Sequence, residues 1–180
     1  MVAWIAGSVF GVVVVGVVAL ALLSFRPGAG QVEVEVRIER PSPDVWRHLT
    51  EPELVKGWVG GLVEIEPLNG TELVVGARDR MVVQMGSSRG EMLSEITAVE
   101  PGKRLSQRVV SGPGAPMTFE EEMTFSLEEV DVGTRVRLSA TSRHTGIGRL
   151  FEPLLTFVGR KKLTQDVQRL KTNVESSGSP

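Results

Sequence analysis

The sequence has no cysteine and no tyrosine, only two histidines, and aromatic residues at 5% of its 180 positions. Without thiols there are no disulfides, no thiolate nucleophile, no thiolate zinc centre and no lipid attached through cysteine. Without phenols one common acid and oxyanion donor is missing. His48 and His144 alone could not hold a metal without help from carboxylates. Neither metal nor cofactor is expected. The formal net charge is −2, so no global basic field points to nucleic acid.

Charge is also missing from one long stretch. All 20 Lys and Arg and all 22 Asp and Glu residues lie beyond residue 25, and Arg26-Pro27-Gly28 ends the apolar run. As a helix, residues 2–25 would be about 36 Å long, enough to cross a hydrocarbon core of about 30 Å. A cleaved secretory signal would need basic residues before a shorter apolar core. The segment therefore reads as a retained single-pass anchor, with no second span after it. Arg26, Arg37 and Arg40 follow it and no basic side chain precedes it, which places the following domain in the cytoplasm at the cell membrane. Ala3, Gly7 and Gly11 recur every four residues, which suits either a homodimer of spans or ordinary glycine usage in a span.

After a linker over 26–30, the rest has the size of one domain. Residues 31–40 alternate Val32, Val34, Val36 and Ile38 with Glu33, Glu35, Arg37 and Glu39, the period of a half-buried strand. Ser42 as N-cap, with Pro43 behind it, starts a short helix carrying Val45, Trp46 and Leu49. Thr50 and Glu53 have capping-box spacing for a second helix that carries Leu54, Val55 and Trp58, with Gly57, Gly60 and Gly61 terminating it. Residues 62–142 then read as six strands joined by tight turns, among them Asn69-Gly70 and Pro101-Gly102. A strand starting at 73–75 with a bulge at Gly76 is expected within this run. Residues 146–174 keep helical spacing, with Pro153 marking a kink or a restart. The tail 175–180 is rich in Ser and Gly and is expected to be disordered.

The segment IERPSPDVWRHLTEPELVKGWVGG, with its Pro-flanked Val45-Trp46 helix, Leu49-Thr50, Pro52 and Trp58 before glycines, resembles the opening of the START-like (SRPBCC) superfamily. The closing segment GIGRLFEPLLTFVGRKKLTQDVQRLK is similar to that superfamily's long C-terminal helix. The resemblance covers residues 31–174. It implies an α+β helix-grip fold: a curved antiparallel sheet wrapped on the C-terminal helix, two short helices after the first strand, and an internal hydrophobic pocket. It is specific for fold and says little about activity.

Within that frame, the expected pocket wall comprises Trp58, Met81, Val83, Met85, Met92, Val109, Phe119, Glu121, Met123, Leu138, Phe151 and Leu155. Methionines are adaptable gap-fillers, and Met81, Met85, Met92, Met117 and Met123 fall in the strand region. Glu121 shares the parity of Met117, Phe119, Met123, Phe125 and Leu127. It is either a pocket acid or ligand contact, or a residue that a bulge turns to water. Trp58 reads as either a pocket-mouth aromatic or a packing anchor. His144, beside Arg143, has no partner tied to it by spacing and reads as a hinge residue. Residues 143–174 hold seven basic side chains against Glu152 and Asp166. That helix either faces anionic lipid or is simply solvated. The expected function is a membrane-anchored domain that binds a small hydrophobic or lipid-like molecule. The alternatives are a protein-interaction or stress-response module of the Hsp90-activator-like type, or a cyclase- or hydrolase-like enzyme using Glu121.

Overall fold

The computed structural model describes residues 30–177 except Gly114, Pro116 and Met117, and only the backbone of Met85, Gly146, Ile147 and Leu150. The expected span over 2–25, with its Ala3, Gly7 and Gly11 stripe, lies outside the described residues. Among those described, no helix is long and apolar enough to cross a membrane.

Strand β1 (Gln31–Ile38) leads into helices α1 (Ser42–Thr50) and α2 (Pro52–Trp58). Six strands follow: β2 (Leu62–Pro67), β3 (Arg78–Met85), β4 (Ser88–Glu100), β5 (Arg104–Ser111), β6 (Phe119–Glu129) and β7 (Thr134–His144). A 3₁₀ helix (Gly146–Phe151) then runs into α3 (Glu152–Ser176). All seven strands form one antiparallel sheet in the order β1-β7-β6-β5-β4-β3-β2. Strands β2 to β7 are the expected meander, and β1 closes against the last of them.

The alternation in β1 is realised as drawn from the sequence. Val32, Val36 and Ile38 are buried, while Glu33, Glu35 and Arg37 are exposed. On the outer face Arg137 meets Glu33 and Glu35, and Arg135 meets Glu35 and Glu128. At the other edge Arg80 gathers Glu64, Glu66 and Glu91. These exposed pairs each contribute little stability, but like charges in a slipped register would oppose one another.

The core lies between the inner face of the sheet and one side of α3. Val167, Leu170 and Val174 pack with Ile38, Val136, Leu138 and Phe125. Trp58 is 5% exposed, stands edge-on to Phe125 at 5.9 Å between ring centroids, and donates its indole N–H to the His48 carbonyl at 2.8 Å. It is a packing anchor. His48 is also buried, with Nδ1 2.9 Å from the Asp44 carbonyl oxygen.

Several local expectations are corrected. Pro41, not Ser42, occupies the N-cap of α1, and the Ser42 hydroxyl donates instead to the Gly102 carbonyl at 2.5 Å, tying the helix to the β4–β5 turn. Thr50 ends α1 and donates back to the Trp46 carbonyl, so no capping box forms and Glu51 takes the N-cap of α2. No strand forms at residues 73–75. Gly76 has φ +88° in a loop and donates its N–H to the Ile96 carbonyl. Pro153 falls in the first turn of α3, where its missing N–H costs nothing, and marks a restart. The helix runs on to Ser176 because the Glu175 carboxylate accepts the Glu39 N–H at 2.9 Å and meets Lys171 at 3.4 Å. That corrects the expected disorder at 175–176.

A buried carboxylate ties the exit of α2 to α3. Asp166 is 2% exposed; it accepts the Gly60 N–H at 3.0 Å, Lys162 Nζ at 2.5 Å and an Arg169 guanidinium N–H at 3.1 Å. Arg169 also donates to the Trp58 carbonyl at 3.4 Å. Asp166→Ala is expected to lower the unfolding free energy by about 1–3 kcal/mol, since the part-buried Gly60 amide loses its acceptor, while the half-exposed Lys162 and Arg169 can turn to water. Asp166→Asn should cost less. Urea denaturation of both variants checks the order.

Candidate functional site

Cross-strand partners in a sheet share a face, so the register fixes which side chains meet. Asp79 pairs with Ser94, Ser94 with Val109, Val109 with Glu121 and Glu121 with Ser142. These five residues form one continuous row across β3 to β7, on the face that also carries Phe125 and Leu138. Two carboxyl–hydroxyl pairs thus stand at the ends of the row with Val109 between them. The Ser142 hydroxyl donates to Glu121 Oε1 at 2.7 Å. Neither β5–β6 nor β6–β7 shifts register near Glu121, so no bulge turns it outward. Burial pushes the Asp79 carboxyl above the ordinary aspartate range, and the hydrogen bond from Ser94 pulls it partly back.

Apolar rows flank this polar one. On one side Met81 pairs with Met92, and Phe119 pairs with His144. On the other Ile96 pairs with Gln107, Gln107 with Met123 and Met123 with Ala140. Met81, Met92, Phe119, Glu121 and Met123 are all half-buried, whereas Val83, Val109 and Leu138 are buried. The half-buried group marks where the inner face is incompletely covered by the helices.

The remaining expected residues divide. Met85 pairs with Ser88 at the β3–β4 turn, and its side chain is outside the description. Trp58 belongs to the core. Leu155 is half-buried. Phe151, at the end of the 3₁₀ helix, is 45% exposed.

His144 has a neighbour that spacing alone did not offer. Its Nδ1 is buried, lies 3.8 Å from Glu152 Oε1, and has no hydrogen-bond partner among the described residues. Asp79, Ser94, Gln107, Ser142 and Glu152 were not singled out from sequence. For Asp79 the signal was present: it shares the parity of Met81 and Val83, the same anomaly that marks Glu121. No group of three or more potential metal ligands forms among the described residues.

Residues 29–175 match the family described as polyketide cyclase/dehydrase and lipid transport. The chain belongs to this family. Solved structures agree with the family fold. A conserved protein of Geobacillus kaustophilus is 15% identical with a TM-score of 0.68, over 82% of this chain and 96% of its own. A protein of Thermus thermophilus is 22% identical with a TM-score of 0.65, over 83% of this chain and 99% of its own. DynU16, encoded in the dynemicin biosynthetic locus, is 22% identical with a TM-score of 0.59, over 82% of this chain and 48% of its own. No protein of curated function matches the sequence. The helix-grip architecture expected from the opening and closing segments is therefore the family's own, on this chain's seven strands and C-terminal helix.

The Asp79 carboxyl gives a test of the polar row. A carboxyl whose folded pKa is raised binds its proton more tightly folded than unfolded, so stability falls as pH rises through the window above the ordinary aspartate value. Asp79→Asn should therefore raise the thermal midpoint at pH 7, and its advantage should vanish below about pH 4. Thermal melts of both proteins across that range read the effect.

Proposed function

We propose that this chain is a membrane-tethered binding module that holds a small hydrophobic or lipid-like molecule against the inner face of its sheet. The observation that carries the reading is the polar row Asp79–Ser94–Val109–Glu121–Ser142, buried at Ser94 and Val109, half-buried at Asp79, Glu121 and Ser142, and bounded by the half-buried Met81, Met92, Phe119 and Met123. Sites for small molecules are mainly apolar with a few placed polar groups. The row suits a ligand with an apolar body and hydrogen-bonding substituents. Methionine walls adapt to varied apolar shapes. The family description, which includes lipid transport, supports the same class of ligand.

The uncharged residues 2–25 supply the tether in this reading, and Arg26, Arg37 and Arg40 favour a cytoplasmic position for the domain. Native mass spectrometry of the full chain released from detergent should show a retained small molecule. Met92→Trp, which adds bulk on the half-buried flank of the row, should lose it while keeping a wild-type circular dichroism spectrum. A wild-type chain that carries nothing and takes up no apolar probe would overturn the reading.

Glu121 favours a second reading, that of a cyclase- or hydrolase-like enzyme. Its carboxylate is fixed by Ser142 in the middle of the sheet, where it could exchange a proton with a bound molecule. Glu121→Gln separates the two. Ligand retention near the wild-type level, with no catalytic change in the retained molecule in either protein, supports binding alone. Turnover in the wild type that disappears in Glu121→Gln supports the enzyme.

A further inference from the structure

The first turns of α3 carry apolar side chains that the core does not use. Leu154 and Val158 are 55% and 56% exposed, Phe157 is 68% exposed, and Phe151 precedes them at the end of the 3₁₀ helix. The side of α3 turned to the domain runs through Glu152, Thr156, Leu163, Val167, Leu170 and Val174, at spacings of three, four and seven residues. Leu154, Phe157 and Val158 fall off that stripe. The next turn is basic, with Arg160, Lys161 and Lys162 all exposed. Along its exposed side the helix therefore passes from an apolar band to a cationic band within about two turns.

We propose that this face is a membrane-contact surface that seats on an anionic bilayer. The inference rests on the reading of residues 2–25 as a membrane tether. Phe, Leu and Val reach the headgroup–acyl boundary, while Lys and Arg meet lipid phosphates and bury their stems beside them.

The tether geometry selects this occupant. Gly30 begins the described chain, with φ +85°, and its carbonyl accepts the Ser142 N–H at 2.9 Å. A Cβ placed on Gly30 would collide with the Ser142 carbonyl and stand 3.1 Å from Glu152 Oε1. The chain thus enters the domain against the first residue of α3. From Phe25 to Gly30 the chain spans at most about 18 Å, even fully extended. Phe157 lies only about 7.5 Å further along the helix from Glu152. A span ending at Phe25 therefore holds the apolar band close to the bilayer. The local charge fits as well: Lys162 and Arg169 are engaged by Asp166 and Lys171 by Glu175, while Arg160 and Lys161 stand exposed in the turn after the apolar band.

Because the chain has no cysteine, a single introduced cysteine gives a unique spin label. The full-length chain would be reconstituted as Leu154→Cys and as Val132→Cys. Val132 is also exposed, but sits in the β6–β7 turn, at the far end of β7 from Ser142. Vesicles would contain phosphatidylglycerol and phosphatidylcholine in equal parts. The label at 154 should show several-fold greater oxygen-to-nickel collision accessibility than the label at 132. Reversing Arg160 and Lys161 to Glu, or using phosphatidylcholine alone, should reduce that difference. Aqueous accessibility at both positions, in chains that float with the vesicles, would overturn the contact surface and leave the tether intact. Chains that do not float would overturn both. Dipolar broadening at 154 would give the face to a second copy, and a label shielded from both quenchers would give it to residues 2–25 folded back. Either result overturns the proposal.

Discussion

One helix cannot cover seven strands. Six inter-strand spacings make a sheet about 29 Å wide, whereas a helix with its side chains is about 10–12 Å across. The sheet has to curve around α3, its outer face has to live in water, and part of its inner face is left over. Each consequence is visible. The outer face is laced with Arg–Glu pairs from β1 to β2. The inner face is packed beneath Val167, Leu170 and Val174. The rows carrying Met81, Met92 and Glu121 remain half-buried. The candidate site follows from this mismatch between sheet width and helix width.

Asp166 ties α2 to α3. By accepting from Gly60 and from Arg169, it fixes the exit of α2 against the middle of α3. Trp58 then stands over Phe125 and fills the near end of the core. The arrangement commits the C-terminal half of α3 to packing and leaves its first turns with the buried carboxylate of Glu152 and the half-buried Leu155 and Thr156 toward the domain. A buried charge in this place is more costly than an apolar residue unless it is paired and hydrogen-bonded, and Asp166 meets that condition through three donors.

The sequence disclosed the sheet well because strands declare themselves by parity. Val32 to Ile38, Phe119 to Leu127 and the turn residues between strands place every strand, with the start of β3 drawn too early at 73–75. Capping was less visible. Ser42 has the chemistry of an N-cap, yet Gly102, sixty residues on, takes its hydroxyl, and no local rule contains that competitor. The site was half visible. Glu121 and the methionines stand out by parity, but their joining into a row with Asp79, Ser94 and Ser142 depends on register across four ladders. Register is set by the whole sheet and not by any one strand. The apolar residues of α3 show the converse error: helical spacing alone did not separate the face that packs from the face that does not.

The pairing of β1 with β7 has a consequence for the order of events during synthesis. Gln31 faces Thr141, about 110 residues later in the chain. At translation rates of about 5–20 residues per second, the first strand waits about 5–20 s for its neighbour among the described strands. Throughout that interval Val32, Val34, Val36 and Ile38 present an apolar edge with no ladder. Contacts this distant in sequence also slow folding after release. The alternating Glu33, Glu35, Arg37 and Glu39 then serve a second purpose: they keep the waiting strand soluble and discourage it from pairing with the wrong edge.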